Sequence, residues 1–227
     1  ETNRFQSLGG IMKHFTRFDA HNDTLAAFFR ERGTEMKVEP GATIAPQGST
    51  SETIYCVLRG CVRVCAYSED GDRRILQFLG SGDYFGLDDV DDCITAREAV
   101  DTVVLAAIPR FAFEAELARR PALQSAVREA LAQEIDAHAS LFILTAQTSA
   151  VERVKLFLDQ YASRRSSNGF ISLPMCRRDI ADHLGLSMET VSRAFSTLKE
   201  RGDIALKGAN FFRVLGDDAD HLWPDAA

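Results

Sequence analysis

Segment 173–198 constrains the fold of this chain more than any other stretch of its sequence. Its apolar spacing predicts two short helices joined by a tight turn, the first running from about residue 177 to 184. Gly185 can adopt the left-handed conformation that ends a helix, and Ser187 is a suitable N-cap for the next helix. The pattern therefore indicates a helix-turn-helix, held together by Ile180, Ala181, Leu184, Leu186, Val191, Phe195 and Leu198.

The second predicted helix has two different faces. Val191, Phe195 and Leu198 recur at helical spacing and are expected to point inward. An arginine can bond guanine O6 and N7 together, and a glutamate can accept from the cytosine amino group, so a polar outward face suits major-groove reading. A solvated amphipathic helix would show the same faces, but the turn and cap residues favour a DNA reader. The outward residues are Glu189, Ser192, Arg193 and Ser196.

Two apolar runs follow the second helix and flank a turn at residues 207–210, which predicts a β-hairpin wing. Lys207 and Arg213 would lie near DNA phosphates, where contacts set the register of binding and do not read sequence. The same role is expected for Arg177, Arg178 and Ser187, around the two helix starts, and for Ser196 farther along the second helix.

The N-terminal half has a different texture. Short apolar or alternating runs, such as 54–58, 61–65 and 75–79, are broken by glycines and charged turns. This spacing predicts an antiparallel sandwich or barrel, with a hairpin turn at Asp70-Gly71.

A long helix is predicted from Pro121 to about residue 145, because this stretch has no glycine and no internal proline. About 25 residues would span roughly 37 Å. Its apolar stripe could be buried within one subunit, but pairing with a second copy is the favoured interpretation. The predicted dimer contacts are Val127, Leu131, Ile135, His138 and Phe142.

The chain is thus predicted to be α+β, with five segments in order. They are an N-terminal arm (1–21), an antiparallel β-roll (22–110), a dimerisation helix region (111–147), a winged helix-turn-helix (148–218) and a C-terminal tail (219–227).

Charge is divided unevenly along the chain. The net charge is −7, yet residues 151–213 hold 11 basic and 7 acidic residues. This split is compatible with a basic DNA-reading part on an acidic remainder. No apolar run is long enough for a membrane span and no secretory signal is visible, so a cytoplasmic location is expected. The five cysteines include no CxxC and are expected to be reduced there.

The order of these segments resembles the CRP/FNR family of bacterial regulators over nearly the whole chain. The phrases "IYCVLRGCVRV" and "GSGDYFG" (80–86) resemble its cyclic-nucleotide-binding-like β-roll. The string from Glu189 to Arg193 resembles the E-x-x-S-R motif of the FNR branch, and "LPMCRRDIADHLGL" is similar to the FixK-type subgroup.

The resemblance implies a homodimeric transcription regulator that binds double-stranded DNA similar to TTGAT-N4-ATCAA. By position, Arg193 would contact the guanine, Glu189 the paired bases on the complementary strand and Ser192 a thymine. Met188 stands where the cAMP-responsive branch has a further arginine, which argues against the cAMP-type operator. The acidic turn 86–92 lies where FNR-type activators contact RNA polymerase, which favours activation; a solvated charged loop would explain it equally well.

The β-roll lacks the residues that its relatives use for known effectors. Leu87 follows Gly86 where the cAMP branch has a glutamate, Cys93 and Ile94 stand at its Arg-Ser pair, and Arg97 is out of register. Residues 1–55 contain no cysteine, so the iron–sulfur cluster of FNR proteins is not expected. No cofactor is therefore predicted, although an unidentified β-roll ligand stays an alternative.

Metal binding and catalysis are also not expected. Cys61 and Cys65 are predicted to share a face of one strand as small buried residues, in preference to metal ligands. A cupin-type metalloenzyme would need histidines on the roll strands, and the chain has none between residues 22 and 137. No nucleophile–base signature appears either, so no catalytic residues are assigned.

Cys176 occupies the predicted N-cap of the first reading-head helix, with Asp179 at capping-box spacing. A thiol at a helix start beside Arg177 and Arg178 should favour its thiolate and be oxidisable. Oxidation would put negative charge against the DNA backbone, which makes Cys176 a candidate redox switch. The alternative is that the cysteine replaces a capping serine and has no further role.

Overall fold

The computed structural model describes residues 23–50, 52–87, 93–147, 149–163 and 169–215. The predicted N-terminal arm, the C-terminal tail and most of the acidic turn 86–92 lie outside the described residues. The described residues up to Ala139 belong to one compact unit, and those from Ser140 onward belong to a second.

The first unit is built from eight strands in two four-stranded antiparallel sheets. Their orders are β1-β8-β3-β6 and β2-β7-β4-β5. Helices α1 (Asp23–Arg32) and α2 (Arg110–Leu117) flank the strands in sequence. The strands are β1 (Thr34–Val38), β2 (Thr43–Ala45), β3 (Thr53–Arg59), β4 (Val62–Tyr67), β5 (Arg73–Leu79), β6 (Tyr84–Phe85), β7 (Ala96–Ala99) and β8 (Val103–Pro109).

Strands β3 and β8 supply side chains to two different cores, because successive residues of a strand point to opposite faces. On β8, Val103 and Leu105 join the cluster that includes strands of both sheets, whereas Ile108 joins the cluster with the helices. On β3, Val57 and Ile54 divide in the same way. The sheet that contains β3 and β8 therefore packs on one face against the second sheet and on its other face against helices.

Helix α1 corrects one expectation, since its sequence was assigned to the strands of the β-roll. Leu25, Phe28 and Phe29 recur at steps of three and four, and all three are buried in the helix-side cluster. This is the spacing of one face of a helix, and the stretch is too short for the pattern to repeat.

Helix α3 (Pro121–Gln147) confirms the predicted long helix. Its apolar stripe is not uniform in environment. Leu123 is fully buried against the β-roll and Val127 packs partly against the same cluster. Farther along, Ile135 is 68% exposed and Phe142 is 75% exposed. Only the first part of the apolar stripe is therefore buried within one chain.

The second unit contains three further helices and a small sheet. Strands β10 and β11 form a hairpin, and β9 adds to its other edge in the order β10-β11-β9. The α+β class and the winged helix-turn-helix are confirmed. The elements are α4 (Ala150–Ser163), β9 (Ile171–Ser172), α5 (Arg177–Leu184), α6 (Met188–Arg201), β10 (Ile204–Lys207) and β11 (Phe211–Val214).

Candidate DNA-binding interface

The turn between α5 and α6 has the backbone conformation that the sequence predicts. Gly185 ends α5 in the left-handed region at φ 66°, and its N–H donates to the Ala181 carbonyl. Ser187 begins α6, where its hydroxyl accepts a 3.1 Å bond from the Thr190 N–H. Each helix end therefore satisfies backbone groups that would otherwise lack a partner.

Burial of one face of α6 determines which residues the other face presents. Val191, Phe195 and Leu198 are buried against the unit core, together with Ile180 and Leu184 of α5. The opposite face of α6 holds all the residues predicted to read bases, and each of them is exposed in the structure. They are Met188, Glu189, Ser192 and Arg193, with Ser196 one turn beyond.

Glu189 is an ionised acceptor at the start of this face. Its own backbone N–H and the Ser187 hydroxyl hydrogen-bond the carboxylate and lower the pKa of Glu189, and Arg193 acts in the same direction. The two serines differ, because they already donate to the helix backbone. Ser192 Oγ donates to the Met188 carbonyl at 2.9 Å, and Ser196 Oγ to the Ser192 carbonyl at 3.3 Å.

The residues predicted to contact the DNA backbone divide into two groups. Arg178, Ser187, Ser196 and Lys207 are exposed, as phosphate contacts require. Arg177 is half-buried and has partners within the protein. Its guanidinium lies 3.3 Å from the centre of the Phe195 ring and donates to the Ala209 carbonyl at 3.2 Å.

Arg177 therefore links three parts of the reading head. It begins α5, it stacks on a core residue of α6, and it bonds the turn of the wing. Sequence reasoning missed this link, because the pairing of Arg177 with residues 18 and 32 positions away depends on the tertiary fold. Its predicted contact with DNA phosphate stays a prediction.

The wing hairpin pairs Ile204 with Val214 and Lys207 with Phe211. Arg213 lies on an exposed position of β11, and its guanidinium is 5.4 Å from the centre of the Phe170 ring. Phe170 was not singled out from the sequence. An aromatic residue directly after the polar loop 163–169 was the available signal.

Cys176 is exposed and caps α5 as expected. Its backbone N–H and its Sγ both lie 3.3 Å from Asp179 Oδ2, which completes the predicted capping box. The sequence argument for a thiolate considered only the two neighbouring arginines. The structure places a buried carboxylate beside the sulfur and turns Arg177 toward Phe195.

The β-roll residues considered as effector or metal contacts are mostly buried. Cys61 directly precedes β4 and Cys65 lies within it, and β4 pairs with β7 in an unbroken register. That the two cysteines share one strand face stays a prediction. Both are buried, and the described part of the chain holds no group of three potential metal ligands. Arg97, expected to be out of register, donates to Cys93 Sγ and to the Thr95 carbonyl.

Comparison with known proteins gives two family matches. The cyclic nucleotide-binding domain family matches residues 35–120, and the Crp-like helix-turn-helix domain family matches residues 152–217. Among the helices of the described ranges, none has the length and apolar character to cross a membrane.

The chain is 33% identical to the nitrogen fixation regulation protein FixK of Rhizobium meliloti, over 80% of this chain and 82% of that protein. It is 30% identical to the protein of the same name from Bradyrhizobium diazoefficiens, over 78% and 77%. The solved structure of FixK2 from Bradyrhizobium japonicum superposes with a TM-score of 0.79 at 31% identity, covering 86% of this chain and 98% of that one.

A β-roll joined to a helix-turn-helix, together with these relatives, defines a transcription regulator and not an enzyme. The chain belongs to the CRP/FNR family and is FixK-like.

Replacing Arg177 by alanine should destabilise the second unit, because it removes a ring contact and a hydrogen bond to the wing turn. We expect a loss of about 1–2 kcal/mol in the free energy of unfolding. Arg178→Ala is the matched control, since that side chain is exposed, and should change stability by less than about 0.5 kcal/mol. Urea unfolding measures both. Equal effects of the two variants would show that the Arg177 contacts contribute nothing.

Proposed function

We propose that this regulator binds a palindrome similar to TTGAT-N4-ATCAA as a homodimer, with no obligatory small-molecule effector, and activates transcription. The observation that carries the proposal is the single exposed face of α6, on which Glu189, Ser192 and Arg193 lie together at the start of the helix. In helix-turn-helix proteins the N-terminal residues of the second helix contact base edges.

Each residue of this face has a chemical role in the proposal. Arg193 donates to guanine O6 and N7, which is the commonest specific contact of an arginine in the major groove. The ionised Glu189 accepts from amino groups on the complementary strand. Ser192 contacts a thymine. Met188 is 47% exposed and uncharged, so it cannot make the base contact for which the cAMP-responsive branch has an arginine at this position.

Backbone contacts fix the register of this helix on the duplex. Arg178 and Ser187 lie at the starts of α5 and α6, and Lys207 lies at the end of β10 beside the wing turn. Their exposure on separate elements allows contacts to phosphates from two sides of the reading helix. Ser196 and Arg177 complete this set of phosphate contacts. Arg177 would bind phosphate while it keeps its contacts to Phe195 and the Ala209 carbonyl.

Dimerisation would use the uncovered part of the α3 stripe. Ile135 and Phe142 are large, apolar and exposed in the single chain, and His138 lies between them on the same stripe. Pairing with the same helix of a second copy would bury them, together with Leu131 and Val127. A two-fold protein suits a palindromic operator, with one half-site for each subunit.

Effector-free DNA binding is supported by the contacts of Arg97 in the β-roll. The Arg97 guanidinium donates to protein groups, Cys93 Sγ and the Thr95 carbonyl. Leu87 stands where the cAMP branch has a glutamate. The alternative is the same architecture gated by an unidentified ligand in the roll.

The proposed action on bacterial DNA implies a cytoplasmic location, with RNA polymerase as the partner for activation.

Oxidation at Cys176 is the proposed control of DNA binding. The sulfur is exposed at the start of α5, next to the exposed Arg178. A helix start and an arginine both attract phosphate, so a sulfinate or sulfonate at this position would repel the DNA backbone. The opposing interpretation, a cysteine that only caps the helix, is supported by its bonds to Asp179.

Operator recognition is tested by titrating the reduced protein, without added ligand, against a duplex containing TTGAT-N4-ATCAA. We expect tight binding that weakens at least about tenfold when both half-site guanines are changed, because a bidentate arginine contact contributes about 1–3 kcal/mol of discrimination. Arg193→Ala should bind both duplexes alike. Glu200→Ala, an exposed change in the last turn of α6, should keep the preference. Equal weak binding of both duplexes by the unaltered protein would contradict the operator or the effector-free state.

Dimerisation is tested with Ile135→Lys, which places a charge in the proposed seam. Sedimentation equilibrium should show a shift from dimer to monomer, because the charge would be buried between the paired helices. Asp136→Lys is the matched control, since it adds the same side chain at an exposed neighbour off the stripe. A dimer that is unaffected by Ile135→Lys would place the interface elsewhere.

The redox proposal is tested by treating the protein with hydrogen peroxide before the operator titration. Operator affinity should fall in the parent protein and be retained in Cys176→Ser, which keeps a capping side chain but cannot form a sulfinate. A serine variant that loses affinity to peroxide as readily as the parent would rule out the switch.

A further inference from the structure

A thiol, a hydroxyl and a guanidinium meet inside the β-roll, outside the reading head. Cys93, Thr95 and Arg97 are each 6% exposed. Arg97 Nη1 donates to Cys93 Sγ and also to the Thr95 carbonyl at 3.0 Å, while Thr95 Oγ1 lies 3.5 Å from the sulfur. One hydroxyl and one positively charged guanidinium therefore contact the Cys93 sulfur atom.

The fold holds these groups in place from both sides. Arg97 lies on β7, an inner strand of its sheet, and pairs with Ala45 on β2 and Val64 on β4. The backbone of Cys93 is hydrogen-bonded to the turn that follows β2, where the Gly48 N–H donates to the Cys93 carbonyl at 2.8 Å. The Cys93 N–H in turn donates to the Ser49 carbonyl at 3.3 Å.

These surroundings favour the ionised sulfur. Burial acts to raise the pKa of Cys93, but the hydrogen bonds from Thr95 and Arg97, with the positive charge of Arg97, lower it below its usual range. Cys56 in the same β-roll shows the contrast. Cys56 is also buried, its Sγ contacts the Val57 carbonyl, and burial raises the pKa of Cys56 to about 12.

We propose that Cys93 is a peroxide-reactive thiolate, a modification site in the β-roll that is separate from Cys176 and from DNA binding. The thiolate sulfur attacks one oxygen of hydrogen peroxide, an S–O bond forms and the O–O bond breaks. The sulfur is oxidised to sulfenic acid, which keeps one oxygen and its hydrogen, and the second oxygen leaves as hydroxide into the solvent. The guanidinium that holds the thiolate also stabilises the departing hydroxide.

Oxidation would change the charge balance of the roll interior. A sulfenic acid is neutral, so its formation removes one negative charge from beside a guanidinium that is almost fully buried. A buried cation that loses a partner is strongly unfavourable. The product state should therefore be less stable than the reduced protein, and its thermal unfolding midpoint should be lower.

The test uses the full chain carrying Cys176→Ser, so that the exposed thiol does not compete for oxidant. Hydrogen peroxide is added together with a dimedone-type probe that traps sulfenic acid, and labelled peptides are quantified by mass spectrometry at neutral pH. Cys93 should be labelled at least about tenfold faster than Cys56, since each pKa unit changes thiolate population about tenfold. Cys56 is the internal control, because its thiol is buried and its pKa is raised.

Arg97→Gln should reduce the labelling of Cys93 toward the rate of Cys56. Arg59→Gln is the control, because it removes the same charge from an exposed position of β3. Should Arg97→Gln fail to fold by circular dichroism, the comparison of cysteines within the Cys176→Ser chain decides alone. Labelling of Cys93 no faster than that of Cys56 would overturn the proposal.

Discussion

Burial of one face of α6 is the constraint on which the reading head depends. Val191, Phe195 and Leu198 have no alternative environment, because their apolar surface must pack against α5 and the rest of the unit. Once that face is buried, the 3.6-residue period of the helix fixes which residues face outward. The exposed positions of Glu189, Ser192 and Arg193 follow from the packing, before any contact with DNA.

The first unit obeys an analogous constraint through its strands. β3 and β8 pair with each other and supply alternate side chains to two cores, so a shift of one residue in their register would exchange the two sets. This pairing also fixes the connection into α2, since β8 ends where that helix begins. The sheet that carries Arg97 is packed against one of these two cores.

Sequence reasoning was most accurate where a single residue dictates the backbone. Gly185 tolerates the left-handed conformation and Ser187 can cap a helix with its own side chain, so the bounds of α5 could be predicted to the residue. It failed where the outcome depends on distant partners. The stacking of Arg177 on Phe195 brings together residues that no local pattern relates.

The intrahelical bonds of Ser192 and Ser196 have a consequence for operator discrimination. In the free protein both hydroxyls donate to carbonyls four residues earlier, so neither is an idle donor awaiting DNA. A base contact made by Ser192 exchanges one hydrogen bond for another, and its net gain is correspondingly small. Arg193 interacts with Glu189 through its charge and, among the described residues, gives up no hydrogen bond to the helix backbone on reaching a base. Under the proposed contacts, the operator should thus tolerate sequence drift at the base pair that faces Ser192 while remaining strict at the guanine that faces Arg193.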